Sequence, residues 1–295
     1  MRDSMQEVIY LLNAKTPCIW IDTYEELNVV EDIAELLRDR KPNFKLYTWT
    51  TAEGLAKIPL SDLEEPMPTD RKINIEELFR IISANQAPSK GSKNENIYII
   101  KDFHLINDTG IIKRALRDCK EKAFVAYNPI IVIAPVTSIP IEHEKLFSVV
   151  HYDTPDKAMI TTLVEMMVAR LTKNNEKKEE SAKFILPTPE DTMKIINACI
   201  GLTYNEIMHV LRLSAAKYRS ISLQAILDEK VQLVEKSGVL DYKLPNISFD
   251  DVGGNNAFKK WMAEVELSMT EAAKEFGCQK SKGYLALGIP GTARQ

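Results

Sequence analysis

The chain has 295 residues, of which 45% are hydrophobic and 27% charged, a composition typical of globular proteins that fold without disulfide or metal staples. This length predicts about two domains, and the net charge of −4 with a pI of about 5.8 argues against a nucleic-acid binder, leaving only a local basic patch open. Apolar runs stay shorter than the roughly 20 residues of a membrane span, and the polar, interrupted first 20 residues are not expected to be a signal peptide.

The first half of the sequence alternates apolar runs, typical of strands, with amphipathic stretches, typical of helices. Helices are predicted at residues 5–15 and 25–42, the second closed by a basic last turn and Pro42. Strands are predicted at four runs: 17–23, 44–51, 97–103 and 128–136. The alternation predicts βαβ units, and therefore an α/β domain with a mostly parallel sheet over residues 1–155.

From about residue 155 onward the pattern becomes helical. Residues 156–174 and 189–201 each predict a helix, and the charged run at 175–183 is interpreted as a solvated connection. Thr203 with Glu206 three residues later predicts a capping box at the start of the next helix. A last helix is predicted between Ser222 as N-cap and Gly238 as stop signal. Residues 156–240 are therefore expected to form a small helical domain.

The C-terminal part contains a fragment of a nucleotide-binding motif. A strand predicted at residues 283–288 leads into the segment Gly288-Ile289-Pro290-Gly291-Thr292, which reads like the first half of a phosphate-binding loop. Glycines allow successive backbone N–H groups to converge on phosphates. The Gly-Lys-Ser/Thr that would complete the loop is replaced by Ala293, Arg294 and Gln295; arginine keeps the lysine's charge but not its compact ammonium. The alternative is an incidental Gly/Pro turn after a strand.

Two segments together carry a family resemblance. "FDDVGGNNAFKKW" at 249–261 and "LALGIPGT" at 285–292, in this order and spacing, resemble the opening of AAA ATPase modules. The resemblance implies ATP as the cofactor, with Mg²⁺ in a complete module. It also implies an adenine contact by one group of residues and phosphate contacts by another: Asp251, Val252 and Gly253 for adenine; Gly288, Pro290, Gly291, Thr292 and Arg294 for phosphate. For Asp251 a turn-capping carboxylate is the alternative.

The N-terminal half resembles a degenerate copy of the same architecture. Residues 97–104 resemble a Walker B strand ending at Asp102, and residues 201–215 resemble a lid helix. Where the phosphate loop belongs, the sequence "YEELNVVED" has neither glycine nor lysine. Glu25 and Glu26 would lie at a helix N-terminus, where carboxylates suit the helix dipole but repel phosphate. This half is therefore not expected to bind ATP in the usual way, and Asp102 is interpreted as a strand-end turn residue rather than a magnesium ligand.

The whole arrangement resembles the AAA-domain proteins of algal plastids and cyanobacteria, which carry a loop-less N-terminal domain before one competent AAA module. Two functions follow as hypotheses: an ATP-binding AAA ATPase of which residues 244–295 are only the start, so that no hydrolysis is expected from this chain alone, or a non-catalytic interaction and oligomerisation module. The expected partners are further copies in a ring or a protein substrate at the N-terminal domain, with neither membrane nor nucleic acid.

The cysteines and the last residues give two further expectations. No CxxC occurs among four distant cysteines, which predicts buried free thiols and a reducing compartment, either the cytoplasm or, in an alga, the plastid stroma: Cys18, Cys119, Cys199 and Cys278. The ending Ala293-Arg294-Gln295 is what a one-nucleotide deletion in codons for Gly-Lys-Thr gives. A truncation by frameshift is thus one hypothesis; gene fission and a sequencing error are the others.

Overall fold

A computed structural model describes residues 2–40, 44–60, 73–85, 95–106, 110–122, 127–176, 183–236, 254, 256–268, 270, 273 and 275–279. The chain divides into two compact units, Met1–Gln232 and Leu233–Gln295. The helices that follow the sheet up to Gln232 belong to the same unit as the sheet.

The first unit is built on one six-stranded sheet. Its strands are β1 (Cys18–Asp22), β2 (Phe44–Thr50), β3 (Gly54–Ile58), β4 (Glu95–Lys101), β5 (Ile130–Ala134) and β6 (Phe147–His151). They lie in the order β3-β2-β4-β5-β1-β6, and every neighbouring pair is parallel except β2 with β3. The sheet confirms the predicted α/β class.

Helices cover both faces of the sheet, which explains why the central strands are continuously apolar. The flanking helices are α1 (Asp3–Asn13), α2 (Glu26–Arg40), α3 (Ile75–Asn85) and α4 (Gly110–Lys122). Because strand side chains alternate between faces, Ile19 and Ile21 of β1 join the core cluster of α1 and α2, whereas Cys18 and Trp20 join that of α3 and α4.

Four helices follow the sheet, as the helical pattern predicts; the predicted stop signal Gly238 lies outside the described residues. They are α5 (Lys157–Asn175), α6 (Pro189–Cys199), α7 (Tyr204–Tyr218) and α8 (Leu223–Lys236). The capping box of α7 is confirmed, since Thr203 Oγ1 accepts from the Glu206 N–H at 3.3 Å and Glu206 Oε2 from the Thr203 N–H at 2.8 Å. Gly201, with a φ of 88°, follows the end of α6 in the left-handed region that favours glycine.

In the second unit, the helix α9 (Asn256–Ser268) is described. Of the four cysteines, Cys18, Cys119 and Cys199 are buried free thiols, as predicted, while Cys278 is exposed. Burial raises the pKa of Cys199 to about 11, so its thiol is protonated at neutral pH. Within the described residues, no helix has the length and apolar character needed to cross a membrane.

Candidate functional site

Polar side chains gather at the carboxyl ends of the parallel strands. In open α/β sheets, ligands bind outside this edge, next to the N-termini of the following helices. Here the edge includes the β1–α2 connection, the turn after β4 and the end of β6. The structure of this edge therefore decides whether the first unit has room for a nucleotide.

The residues predicted to bind ATP lie outside the described residues: Asp251, Val252, Gly253, Gly288, Pro290, Gly291, Thr292 and Arg294. The strand predicted at residues 283–288 lies outside them as well. Their role remains a prediction from the sequence.

Glu25 lies at the start of α2, and helix N-termini at this edge are where nucleotide-binding α/β sheets hold phosphates. Glu25 is only 2% exposed. Its backbone C=O accepts the first hydrogen bond of the helix, from the Val29 N–H at 3.1 Å. Its side-chain Oε1 accepts from Asn28 Nδ2 at 3.3 Å and from the backbone N–H of Asn205 at 2.8 Å. A buried carboxylate at a helix N-terminus suits the helix dipole and repels an anion such as phosphate.

Arg2 supplies the positive charge opposite Glu25. Its side chain is 7% exposed, and Nη1 lies 3.6 Å from Glu25 Oε2. The same nitrogen donates to the Asp153 backbone oxygen at 2.9 Å, and the guanidinium lies 4.1 Å from the centre of the Tyr152 ring. Arg2 Nε lies 3.9 Å from Asp32 Oδ2. Arg2 therefore links the start of α1 to α2 and to the connection between β6 and α5.

Tyr152 completes this cluster of interactions. Its hydroxyl donates to Asp32 Oδ2 at 2.7 Å. Burial, followed by this contact with a carboxylate, raises the pKa of Tyr152 well above its ordinary value. The phenol therefore stays protonated and remains a hydrogen-bond donor. We call Arg2, Glu25, Asp32, Tyr152 and Asn205 the Glu25 cluster.

Asp102 lies in a turn directly after β4. It has a φ of 53°, in the left-handed region, and its N–H donates to the Ile133 backbone oxygen at 3.1 Å. This conformation fits the strand-end interpretation. Across the described part of the chain, no three His, Cys, Asp or Glu residues are grouped as a metal site would need.

Other charged residues at the edge pair with protein groups. Lys101 Nζ, at the end of β4, lies 3.2 Å from Glu26 Oε2. The Lys101 ammonium at this edge therefore faces a carboxylate.

Sequence reasoning identified Glu25 as a phosphate-repelling group but missed the residues that hold it. Arg2 and Asn205 lie far from Glu25 along the chain, the second by 180 positions. One sequence signal pointed towards Asn205: the predicted start of α7 at Thr203. The first N–H groups after a helix start have no partner within the helix and need an acceptor elsewhere.

Comparisons with known proteins give the family. The profile of the N-terminal domain of SpoVK-like AAA ATPases matches residues 4–152, and that of the second domain of the same proteins matches residues 160–237. The AAA domain-containing protein ycf46 of Guillardia theta is 26% identical over 290 residues, covering 96% of this chain and 52% of the relative. The ycf46 protein of Trieres chinensis is 25% identical over 291 residues, covering 98% and 54%. The chain spans about half the length of these curated relatives.

Among solved structures, C. elegans PCH-2 aligns with a TM-score of 0.44 and 11% identity, over 79% of this chain and 64% of that one. Domain III of the Thermotoga maritima replication initiation protein DnaA aligns with a TM-score of 0.40 and 11% identity, over 77% and 89%.

Proposed function

Because this chain belongs to the SpoVK-like AAA ATPases, we propose that it is part of an ATP-binding AAA protein whose nucleotide site lies after residue 244. The sheet domain (1–155) and the helical domain (156–240) form a nucleotide-free N-terminal part, and residues 244–295 begin the AAA module. In this division, the backbone at Asp251, Val252 and Gly253 contacts adenine. The loop from Gly288 to Thr292 contacts phosphates, and Arg294 supplies the positive charge.

The observation that carries this proposal is the buried carboxylate of Glu25 at the start of α2. Nucleotide-binding sheets present glycine N–H groups and a lysine at this position, whereas here Glu25 is bonded to Asn28 and Asn205 and faces Arg2. A buried carboxylate at this position disfavours a phosphate there, which supports placing the nucleotide chemistry of the family in the later segment.

The chain itself offers a test of the ATP site. Replacing the last three residues by Gly-Lys-Thr (Ala293→Gly, Arg294→Lys, Gln295→Thr) restores a compact ammonium and a hydroxyl. Arg294 already carries the charge, so the expected gain comes from an ammonium that reaches phosphate oxygens the guanidinium does not; one charge-assisted hydrogen bond gained strengthens binding about tenfold or more, which titration with a fluorescent ATP analogue measures. The matched control is Glu25→Gln, which is expected to leave the affinity unchanged. The proposal is refuted if the affinity for the ATP analogue is unchanged by the triple substitution but changes in Glu25→Gln. That result would place the nucleotide at the N-terminal sheet.

A non-catalytic interaction role is favoured by a second observation. Large apolar side chains are exposed in the stretches that follow β1, β4 and β5 in the chain: Tyr24, Leu27, Leu105 and Ile141. Leu105 is 74% exposed and Ile141 89%, and large exposed apolar groups are typical of protein contacts when they form a patch. We propose that these residues form a patch that contacts a further copy of the chain or a protein substrate.

Sedimentation velocity of the 295-residue chain tests the first of these partners. If copies associate through this patch, Ile141→Asp is expected to shift the population to monomer, whereas Ile185→Asp, at a residue 72% exposed in the helical part, leaves it unchanged. Association that survives Ile141→Asp and Leu105→Asp excludes self-association through this patch. The cytoplasmic or stromal location stays a prediction from the sequence.

A further inference from the structure

Glu25 joins three elements that are distant in sequence. It directly precedes α2, its Oε1 accepts from the Asn205 N–H at 2.8 Å, and its Oε2 faces Arg2 at the start of α1. Asn205 is the second residue of α7. The carboxylate is therefore a direct polar link between the sheet and the helical part of the first unit.

The first turn of α7 depends on this link. The first N–H groups of a helix have no partner inside the helix. In the capping box, the Thr203 N–H donates to the Glu206 side chain at 2.8 Å, and the Glu206 N–H donates to the Thr203 side chain at 3.3 Å. The Asn205 N–H, between these two residues in the chain, donates to the Glu25 side chain instead. The helix start is thus completed only when α7 lies against the β1–α2 connection.

The surroundings of Glu25 suit an anion. The carboxylate lies at the start of α2, where the helix dipole favours negative charge. The Arg2 side chain beside it is more than nine-tenths buried, and Arg2 Nε has no hydrogen-bond partner among the described residues. A buried guanidinium is costly without nearby anions; here Glu25 Oε2 lies 3.6 Å from Arg2 Nη1, and Asp32 Oδ2 lies 3.9 Å from Arg2 Nε.

We propose that Glu25 is a built-in anionic ligand that clamps α7 to the sheet in the absence of nucleotide. In the geometry expected of a nucleotide site, a phosphate at the start of α2 would provide the negative charge; here a side chain provides it permanently. The helical part is therefore held closed on the sheet whatever the nucleotide state of the rest of the protein. This inference rests on the proposed function, in which the first unit binds no ATP.

Hydrogen exchange of single backbone amides in the full 295-residue chain tests the clamp without any nucleotide. Glu25→Ala removes the acceptor, and exchange at the Asn205 N–H is expected to accelerate about tenfold or more, as for a lost hydrogen bond to a charged group. Glu25→Gln keeps an acceptor but loses the charge, so a smaller acceleration of exchange at the Asn205 N–H is expected. If Glu25→Ala fails to fold, Glu25→Gln tests the clamp in its place.

Two controls separate release of α7 from general loosening. Glu26→Gln removes a neighbouring carboxylate of the same charge that pairs with Lys101 instead, and the Asn205 N–H is expected to exchange as in the unmodified chain. The Glu77 N–H, held by the Asn74 side chain at 2.8 Å at the start of α3, is an internal reference that is expected to change less than about twofold, well below the effect of losing a charged hydrogen bond.

The clamp is wrong if the Asn205 N–H exchanges in Glu25→Ala and Glu25→Gln no faster than in Glu26→Gln. It is also wrong if the Glu77 N–H accelerates as much as the Asn205 N–H, because Glu25 then supports the whole unit rather than the position of α7. A different result would contradict the proposed function. If added ATP slows amide exchange at residues 23–28 of the unmodified chain, the first unit binds ATP.

Discussion

Asp22 and His151 end neighbouring parallel strands, and their side chains meet there. The two residues are partners in the register of β1 and β6, and His151 Nδ1 lies 2.7 Å from Asp22 Oδ2. The His151 side chain is 81% exposed. The short distance alone therefore says little about stability, since exposed pairs are screened by solvent and lose side-chain entropy.

We expect His151→Ala to change the free energy of unfolding by less than about 1 kcal/mol. Urea unfolding of the 295-residue chain, followed at neutral pH and again at high salt, measures the change. A loss above about 2 kcal/mol, beyond the range of exposed pairs, would mean that this pair holds the edge strand β6 in place.

The buried pair of Arg2 and Glu25 leads to the opposite expectation. Arg2→Ala leaves the Glu25 carboxylate buried without its cation, and removing one partner of a buried pair costs about 3 kcal/mol or more. Urea unfolding under the same conditions measures the loss. Arg80→Ala is the matched control, because Arg80 pairs with Glu77 at 3.2 Å while its side chain is 75% exposed.

The control is expected to cost less than about 1 kcal/mol. Equal losses in Arg2→Ala and Arg80→Ala would show that the Glu25 carboxylate is hydrated after Arg2 is removed, and that the pair contributes no more than a surface contact.

The sequence predicts features whose determinants are local. Thr203 and Glu206 form their capping box because both partners lie within one helical turn. The β3 strand was not predicted, since "GLAKI" has weak strand propensity and becomes a strand by pairing antiparallel with β2. The helices α3 and α4 were not assigned from the sequence either.

The Glu25 cluster shows the same limit within the candidate site. The charge of Glu25 and its place before α2 were readable from the sequence, and so was the repulsion of phosphate. Its partners were not, because the contact with Asn205 spans 180 positions and arises only after α7 docks. No local pattern marks a residue such as Arg2 as a buried cation.

Two buried tryptophans differ in how their indole N–H groups are satisfied. Trp49 Nε1 donates to the Ile73 backbone oxygen at 2.8 Å, whereas Trp20 Nε1 is buried with no hydrogen-bond partner among the described residues. Trp→Phe removes a similar volume at both sites. Only Trp49→Phe also leaves a carbonyl unpaired, so we expect it to cost about 1 kcal/mol more than Trp20→Phe.

Thermal or urea unfolding of the two variants measures this difference, and Trp20→Ala serves as a reference for the loss of packing. Trp20 contacts Phe147 edge-on with ring centroids 5.5 Å apart, so Trp20→Ala is expected to cost about 3–5 kcal/mol. If Trp20→Phe proves the more damaging of the two Phe variants, the Trp20 N–H has a partner in solution.

His143 gives the unit a predicted dependence on pH. It is 1% exposed, and neither ring nitrogen has a hydrogen-bond partner among the described residues. Burial first, and then the charge of Arg117, lower the pKa of His143 in the folded state; Glu142 opposes this and Lys113 adds to it. The unfolded chain therefore binds a proton more readily below about pH 6.5, and by linkage stability falls as the pH drops below that value.

His143→Leu removes the titrating group and is expected to flatten the loss of stability between about pH 6.5 and 5. His151→Ala is the control, because it removes an imidazole that is exposed rather than buried. The pH dependence of stability is measured from the urea unfolding midpoints of both variants and the unmodified chain, at half-unit steps of pH. A slope that persists in His143→Leu would show that other groups, and not the buried imidazole, take up the proton on unfolding.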